Sequence, residues 1–385
     1  MSLTAFSFPT RTLYGAGALA ELPAALVKLG VRRPLVVTDG GLVKTDAFAQ
    51  LAAVMGADNQ GKTWFVFDGV HPNPVEEDVR QAAAALRDHQ CDGVIAIGGG
   101  SPLDAGKAAR LLALRPGYDL SKFYEESDWS GLLPLVAIPT TAGTGSEATP
   151  WSVITDLKAH YKFGVGGTVA IPEVALVDPQ LMLGLPPFLT AATGMDALSH
   201  LIEAFVSTNI NPLLDPLILR GIELAGAQLL AAVRHGTDLT ARAAMAQAAL
   251  LGGIAISSNW LGACHSLSHQ LSSFADVQHG LANAIMLPHQ MRYSLPAALA
   301  RYAQVGVALG SPAKGTAQKR AEFAVERVAA LARDCGLPLR LRDAGVDAAL
   351  LAPMAHSAFV NDSNHTTNPR PCTEASLAEM YQAAF

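Results

Sequence analysis

The feature that most constrains this chain is a change of sequence texture at about residue 185. Before it, short runs dense in β-branched and other apolar residues (Leu35–Thr38, Trp64–Phe67, Gly93–Ile97, Leu135–Ile138 and Ala175–Val177) alternate with Ala/Leu-rich stretches such as Val75–His89. The runs lack the polar alternation of a half-exposed sheet. They suit strands covered on both faces, hence a largely parallel, doubly wound α/β sheet whose ligand binds beyond the carboxyl ends of its strands. After it, long Ala/Leu-rich stretches take over (Thr190–Ser207, Leu213–Val233, Thr240–Ser257 and Ala317–Cys335) and read as helices. Leu185-Pro186-Pro187 is the natural boundary, because proline continues neither ladder and sets up a helix start. The expectation is an α/β N-terminal domain over 1–184 and an all-α C-terminal domain over 185–385, with Asn361–Thr373 as a loop before a last short helix.

Composition excludes several classes. Half of the 385 residues are apolar, 16% are charged and the net charge is −6. No basic run offers the Lys/Arg stripe that a phosphate backbone needs, so nucleic acid is not an expected partner. Cys91, Cys264, Cys335 and Cys372 form no CxxC pair, which fits a reducing compartment better than a disulfide framework or a thiolate zinc site. The first residues lack a secretory pattern and no stretch reads as a membrane span, so a cytoplasmic protein without membrane contact is expected.

Two loops carry the case for a dinucleotide. Ile95-Ala96-Ile97 runs into Gly98-Gly99-Gly100-Ser101-Pro102, a strand ending in glycines at a helix start, where bare backbone and the first helical N–H groups suit a pyrophosphate. A tight turn without ligand is the bland alternative. A second loop, Pro139-Thr140-Thr141-Ala142-Gly143-Thr144-Gly145-Ser146-Glu147, adds hydroxyl and backbone donors at the end of another strand. Gly15-Ala16-Gly17-Ala18-Leu19-Ala20 satisfies G-x-G-x-x-G/A but follows no strong strand, so it is read as a helix-start turn. Asp39 ends the Leu35–Thr38 run, where a carboxylate either accepts from an adenosine ribose and repels a 2′-phosphate, or simply caps the turn before Gly40-Gly41.

Metal-ligand chemistry gathers in the second half. Asp196 and His200 stand four apart on a predicted helix, so both project from one face. His265 and His269 repeat that spacing, and His279 follows shortly after. Imidazoles with one carboxylate suit Fe²⁺ or Zn²⁺ rather than Mg²⁺ or Ca²⁺. Histidines satisfied by backbone carbonyls are the alternative.

Together these stretches resemble the iron-containing alcohol dehydrogenase family from near Leu13 to the C-terminus. The resemblance rests on Gly98–Asp104 with Lys107, on Pro139–Glu147, and on Gly194-Met195-Asp196-Ala197 with His200 and Glu203. It also rests on Cys264–His279 followed by Leu281-Ala282-Asn283-Ala284, and on Asn368-Pro369-Arg370. It implies an NAD-binding α/β domain, a helical metal-binding and catalytic domain, and catalysis in the cleft between them. By motif position it makes Asp196, His200, His265 and His279 the metal ligands. It sets His269 beside the substrate as the catalytic group; the rival assignment makes His265 and His269 ligands together. Asp39, Asn73, Gly98, Gly99, Gly100, Ser101, Asp104, Thr140, Thr141, Thr144 and Lys162 would line the cofactor. Read without the resemblance, Asn73 is a Pro-flanked turn residue and Lys162 a surface lysine.

The implied reaction is hydride transfer between NAD(H) and a small alcohol or aldehyde, with Fe²⁺, or Zn²⁺ in its place, as Lewis acid on the substrate oxygen. The implied assembly is a homo-oligomer, a dimer. Maleylacetate reductases, a branch of the same superfamily, typically lose the Asp that this chain keeps at 196. A zinc-dependent polyol dehydrogenase and a dehydroquinate-synthase-like lyase share the layout and stand as alternatives. The lyase needs cationic groups for an anionic substrate, and His265–His279 offers no Lys or Arg.

Overall fold

The computed structural model describes residues 6–57, 63–125, 128–156, 161–312 and 314–385. Their contacts separate into two compact units, one drawn from Phe8–Thr141 and Gly145–Gly184, the other from Leu185–Phe385 with Ala142–Thr144.

The first unit runs β1 (Arg11–Tyr14), α1 (Leu22–Leu29), β2 (Pro34–Val37), α2 (Asp46–Ala57), β3 (Phe65–Phe67), α3 (Glu76–Asp88), β4 (Gly93–Gly98), α4 (Gly100–Leu114), β5 (Leu135–Pro139), β6 (Trp151–Asp156), β7 (Tyr161–Gly166) and β8 (Val174–Val177). Six strands form one sheet in the order β1-β8-β5-β4-β2-β3, every neighbouring pair parallel. Side chains alternate across it, as the strand period of two requires. Leu35, Val37, Val94, Ala96, Leu135 and Ala137 pack with α3 and α4 on one face. Val36, Ile95, Ile97, Val136 and Ile138 pack with α1 and α2 on the other. This double burial is why the strands read as unbroken apolar runs.

The chain leaves β2 toward β3 on one side and leaves β4 toward β5 on the other, so the carboxyl ends of β2 and β4 flank the topological switch point where such sheets bind ligands. The Gly15–Ala20 fingerprint sits elsewhere. It follows the edge strand β1 and opens a short 3-10 turn, Ala18–Glu21, whose Leu19 N–H donates to Asp178. One element escaped the sequence reading: β6 and β7 pair antiparallel as a separate hairpin.

The second unit is helical: α5 (Pro187–Val206), α6 (Asp215–Arg234), α7 (Leu239–Asn259), α8 (Ala263–Ala275), α9 (His279–Ser294), α10 (Leu299–Ala308), α11 (Ala317–Asp334), α12 (Leu351–Val360) and α13 (Glu374–Ala384). The expected loop 361–373 holds one 3-10 turn, Asn364–Thr367. α5 is buried nearly end to end and packs against α6, α7 and α9, while α8 packs against α9 and α12. No membrane span is expected from the sequence, yet among the described residues α6 and α7 are long and apolar enough by length and composition. The bundle explains their character, since both lie against α5 and each other and contribute Ile222, Leu229, Met245 and Ala249 to the buried set.

One buried lysine ties α4 to the hairpin. Lys107 Nζ donates to Ser146 Oγ (2.7 Å), Thr149 Oγ1 (3.1 Å) and the Trp151 carbonyl (2.7 Å). Burial pulls its pKa down to about 8 against the opposing carboxylates of Asp104 and Glu147. Burial likewise pushes Glu147 up to about 7, partly offset by a backbone hydrogen bond and by Lys107. An acid whose folded pKa lies above its unfolded value adds stability that is fully present below the unfolded pKa and is lost as pH rises through the folded one. Glu147→Gln is therefore expected to raise Tm above wild type at about pH 8 and to change it little at about pH 5, where the wild-type acid is already protonated. Thermal melts at the two pH values check this; an equal shift at both would contradict it.

Candidate metal centre and cofactor loops

In the helical unit, α5 places Asp196 and His200 one turn apart on a buried face, α8 supplies His265 and His269, and α9 opens with His279. The first turn of α9 can press this close to α5 only because residue 280 is glycine: a Cβ there would lie 2.3 Å from the Ala192 carbonyl oxygen. The result is a ring of imidazoles around one oxygen. Asp196 Oδ1 stands 3.6 Å from His200 Nε2, 3.7 Å from His265 Nε2 and 3.5 Å from His279 Nε2. Ligands about 2.1 Å from a common ion in tetrahedral array are about 3.4 Å apart, so these spacings fit a single first-row metal. Among the described residues, the ligand atoms of Asp196, His265 and His279 all lie within 4.8 Å of one another. His200 meets the Asp196 oxygen and stacks on His265, with ring centroids 4.7 Å apart, but stands outside that tightest group. The donor set of three nitrogens and one carboxylate oxygen matches the chemistry of Fe²⁺ or Zn²⁺.

Electrostatics agree with that geometry. Burial alone would raise the Asp196 carboxyl, but His200, His279 and His265 outweigh it and hold the pKa well below the usual carboxylate range. Burial lowers His200 to about 4, against the pull of Asp196, so it stands neutral as a ligand must. Burial also opposes charge on His265, yet Glu203 and Asp196 raise it to about 9. An ion taking this nitrogen would therefore have to displace a proton.

Behind the ring lies a layer of hydrogen bonds that spacing alone did not reveal. Glu203, buried on α5, takes the His265 Nδ1 hydrogen in a short contact and the Cys264 N–H at 2.8 Å. A carboxylate on Nδ1 holds the ring in the tautomer that turns the Nε2 lone pair inward. The available signal was a lone Glu in an apolar helix, three residues after His200. Asp362 does the same for His269, 2.7 Å from its Nδ1, and also accepts from Ser266 Oγ and the Asn364 N–H. Burial would raise Asp362, but His269 and these donors bring it down to about 2. No sequence pattern announced this partner, which lies 93 residues from His269. His269 itself packs against the ring, its centroid 5.4 Å from that of His279 and 6.0 Å from that of His265.

In the α/β unit, the glycine run has the expected form. β4 ends at Gly98 and α4 begins at Gly100, so the helix presents its first N–H groups at the strand end. Gly98 has φ +147°, and a Cβ there would meet Pro102 Cγ at 2.6 Å. Thr140, buried just past β5, donates its N–H to the Gly98 carbonyl, and Thr141 flanks Gly99. Thr144 falls with the helical unit instead. Asp39 takes the capping role: Oδ1 accepts from the Gly41 and Leu42 N–H groups at 2.9 Å. Oδ2 has no hydrogen-bond partner among the described residues. Asp104 spends its carboxylate on structure, accepting from Ser146 Oγ (2.6 Å) and the Val153 N–H (2.9 Å). Asn73 and Lys162 meet: Lys162 Nζ donates to Asn73 Oδ1 at 2.8 Å, and Asn73 takes the left-handed φ of 56°.

Residues 9–179 match the family described as iron-containing alcohol dehydrogenase, and residues 190–385 match the C-terminal part of the Fe-containing alcohol dehydrogenase family. The chain is 38% identical to 1,3-propanediol dehydrogenase of Citrobacter freundii over the whole of both chains. It is 36% identical to lactaldehyde reductase of Escherichia coli, covering 97% of each. The crystal structure of a 1,3-propanediol oxidoreductase superposes over the full length of both chains with a TM-score of 0.94 at 37% identity. Neither the polyol dehydrogenase nor the lyase alternative is favoured by these likenesses, and the chain belongs to the iron-containing alcohol dehydrogenase family.

Proposed function

We propose that this chain transfers hydride between NAD(H) and a small alcohol/aldehyde pair, using a divalent iron held by Asp196, His200, His265 and His279. The observation that carries the reading is the convergence of three imidazole Nε2 atoms on one buried carboxylate oxygen. In this reading 1–184 is the NAD-binding domain and 185–385 the metal-binding and catalytic domain. Zn²⁺ suits the same donors and is the competing occupant. Small substrates agree with the relatives' names, which include an NAD-dependent methanol dehydrogenase of Bacillus methanolicus. The reading takes the protein as a cytoplasmic homodimer that engages neither membrane nor nucleic acid, in keeping with a net charge of −6.

When bound, the metal supplies Lewis acidity at the substrate oxygen and NAD accepts or returns the hydride. The protein's part is orientation and proton handling. Gly98 to Ser101 offer backbone donors for the pyrophosphate, Thr140, Thr141 and Thr144 line the cofactor while Asp104 braces the threonine-rich loop from behind, and Asn73 lines it with its partner Lys162 of the hairpin. The free Oδ2 of Asp39 faces the adenosine ribose. His269, its Nδ1 hydrogen held by Asp362, keeps an Nε2 lone pair to take up the alcohol proton and pass it outward.

Three outcomes are expected. Protein prepared without oxygen carries about one Fe or Zn per chain by elemental analysis, as one tetrahedral site requires, and His265→Ala loses it. Stoichiometric metal after replacing both His200 and His265 would reject the ligand set. Wild type prefers NADH, and Asp39→Gly relaxes that preference by removing a carboxylate that repels the 2′-phosphate; faster turnover of wild type with NADPH would contradict this. Asp362→Asn lets an amide hydrogen face His269 Nδ1 and favours the wrong tautomer. Turnover should fall at least ~10²-fold while metal content stays at the wild-type level. Turnover within about twofold of wild type would remove His269 from the proton path.

A further inference from the structure

Asn283 lies one turn beyond His279 on α9 and is fully buried. Its side-chain nitrogen stands 2.7 Å from Asp196 Oδ1, 3.1 Å from His265 Nε2 and 3.2 Å from His279 Nε2. One amide group thus reaches the ligand atom delivered by each of three helices. Its orientation is determined from both ends. Asn283 Oδ1 accepts from the Cys264 thiol at 3.5 Å, and reversing the amide would set a carbonyl oxygen against the Asp196 carboxylate. The nitrogen therefore faces the ring, donating to the Asp196 carboxylate, whose oxygen keeps a second lone pair for an ion, and packing against the two imidazole Nε2 edges, whose single lone pairs are left for that ion.

We propose that Asn283 is a positioning residue of the metal centre, which keeps Asp196 Oδ1, His265 Nε2 and His279 Nε2 aimed at one point and so makes the site slow to release its ion. The inference rests on the ligand set proposed above. A carboxylate and two imidazoles can each turn about their outer side-chain torsions, and alignment by an outer hydrogen bond is what limits that freedom. Glu203 restrains His265 from its far side through Nδ1, whereas Asn283 acts on the near side and on three ligands at once. α9 thereby brings a ligand and its aligner in a single turn.

The test is metal release from the full-length protein loaded with Co²⁺, whose visible absorption reports ligand geometry. Wild type is compared with Asn283→Ala, with Asn283→Leu, which keeps the volume beside Cys264, and with Asn283→Asp, which keeps the shape but offers no hydrogen to Asp196. Each variant that retains a cooperative thermal melt should lose Co²⁺ to a chelator about 10- to 100-fold faster than wild type and show a shifted spectrum. Wild-type release and spectrum in any folded variant would overturn the proposal. His265→Ala is the control that separates the two readings. If it fails to hold Co²⁺ while the Asn283 variants hold it normally, only the role of Asn283 falls. If it holds Co²⁺ as wild type does, the ligand set falls and this inference with it.

Discussion

The helical unit is organised around a buried negative charge. A carboxylate in the middle of a bundle costs several kcal/mol unless positive or hydrogen-bonding groups surround it. Asp196 meets that demand with three imidazoles, each from a different turn or helix, within 3.7 Å of one oxygen. A cation at their centre satisfies the charge and the lone pairs together. Much of the surrounding packing follows: α5 must be buried along its length to carry Asp196 and His200 inward, and Gly280 must lack a side chain for α9 to bring His279 within reach.

The ring is held by a second tier of buried polar groups, each acting on a different freedom. Glu203 selects the tautomer of His265, Asp362 selects that of His269, and Asn283 aligns the atoms that face the centre. These partners differ in what they prepare. A carboxylate on Nδ1 leaves the Nε2 lone pair of either ring free, and in the proposed reading that of His265 serves an ion and that of His269 a proton.

The α/β unit meets a different demand, bare backbone and helical N–H groups exposed at the end of a buried strand. Parallel strands place the ends of β2 and β4 side by side at the switch point, which sets Asp39 near the glycine run although 59 residues separate Asp39 from Gly98. Asp39 caps its own turn with one oxygen, and this fixes where the other points. Asp104 and Lys107 work one step back, fastening α4 to the threonine-rich loop and the hairpin rather than reaching outward.

Much of this was legible in the chain because it is local. Strands buried on both faces leave apolar runs, a strand ending in glycines leaves a readable signature, and polar side chains on one helical face leave the spacing of Asp196/His200 and His265/His269. The hairpin β6–β7 was not legible, since two short alternating strands outside the main sheet carry little signal. Which oxygen of Asp196 collects the imidazoles, that Asn73 pairs with Lys162, and that Glu203, Asn283 and Asp362 stand behind the histidines are matters of tertiary structure. Sequence by itself determined the residue types and their placement on elements, because periodicity acts over a few residues. The pairing of a buried imidazole with a carboxylate 93 positions away is decided only by how helices pack, since desolvation forces each buried polar group to take whatever partner the fold brings near.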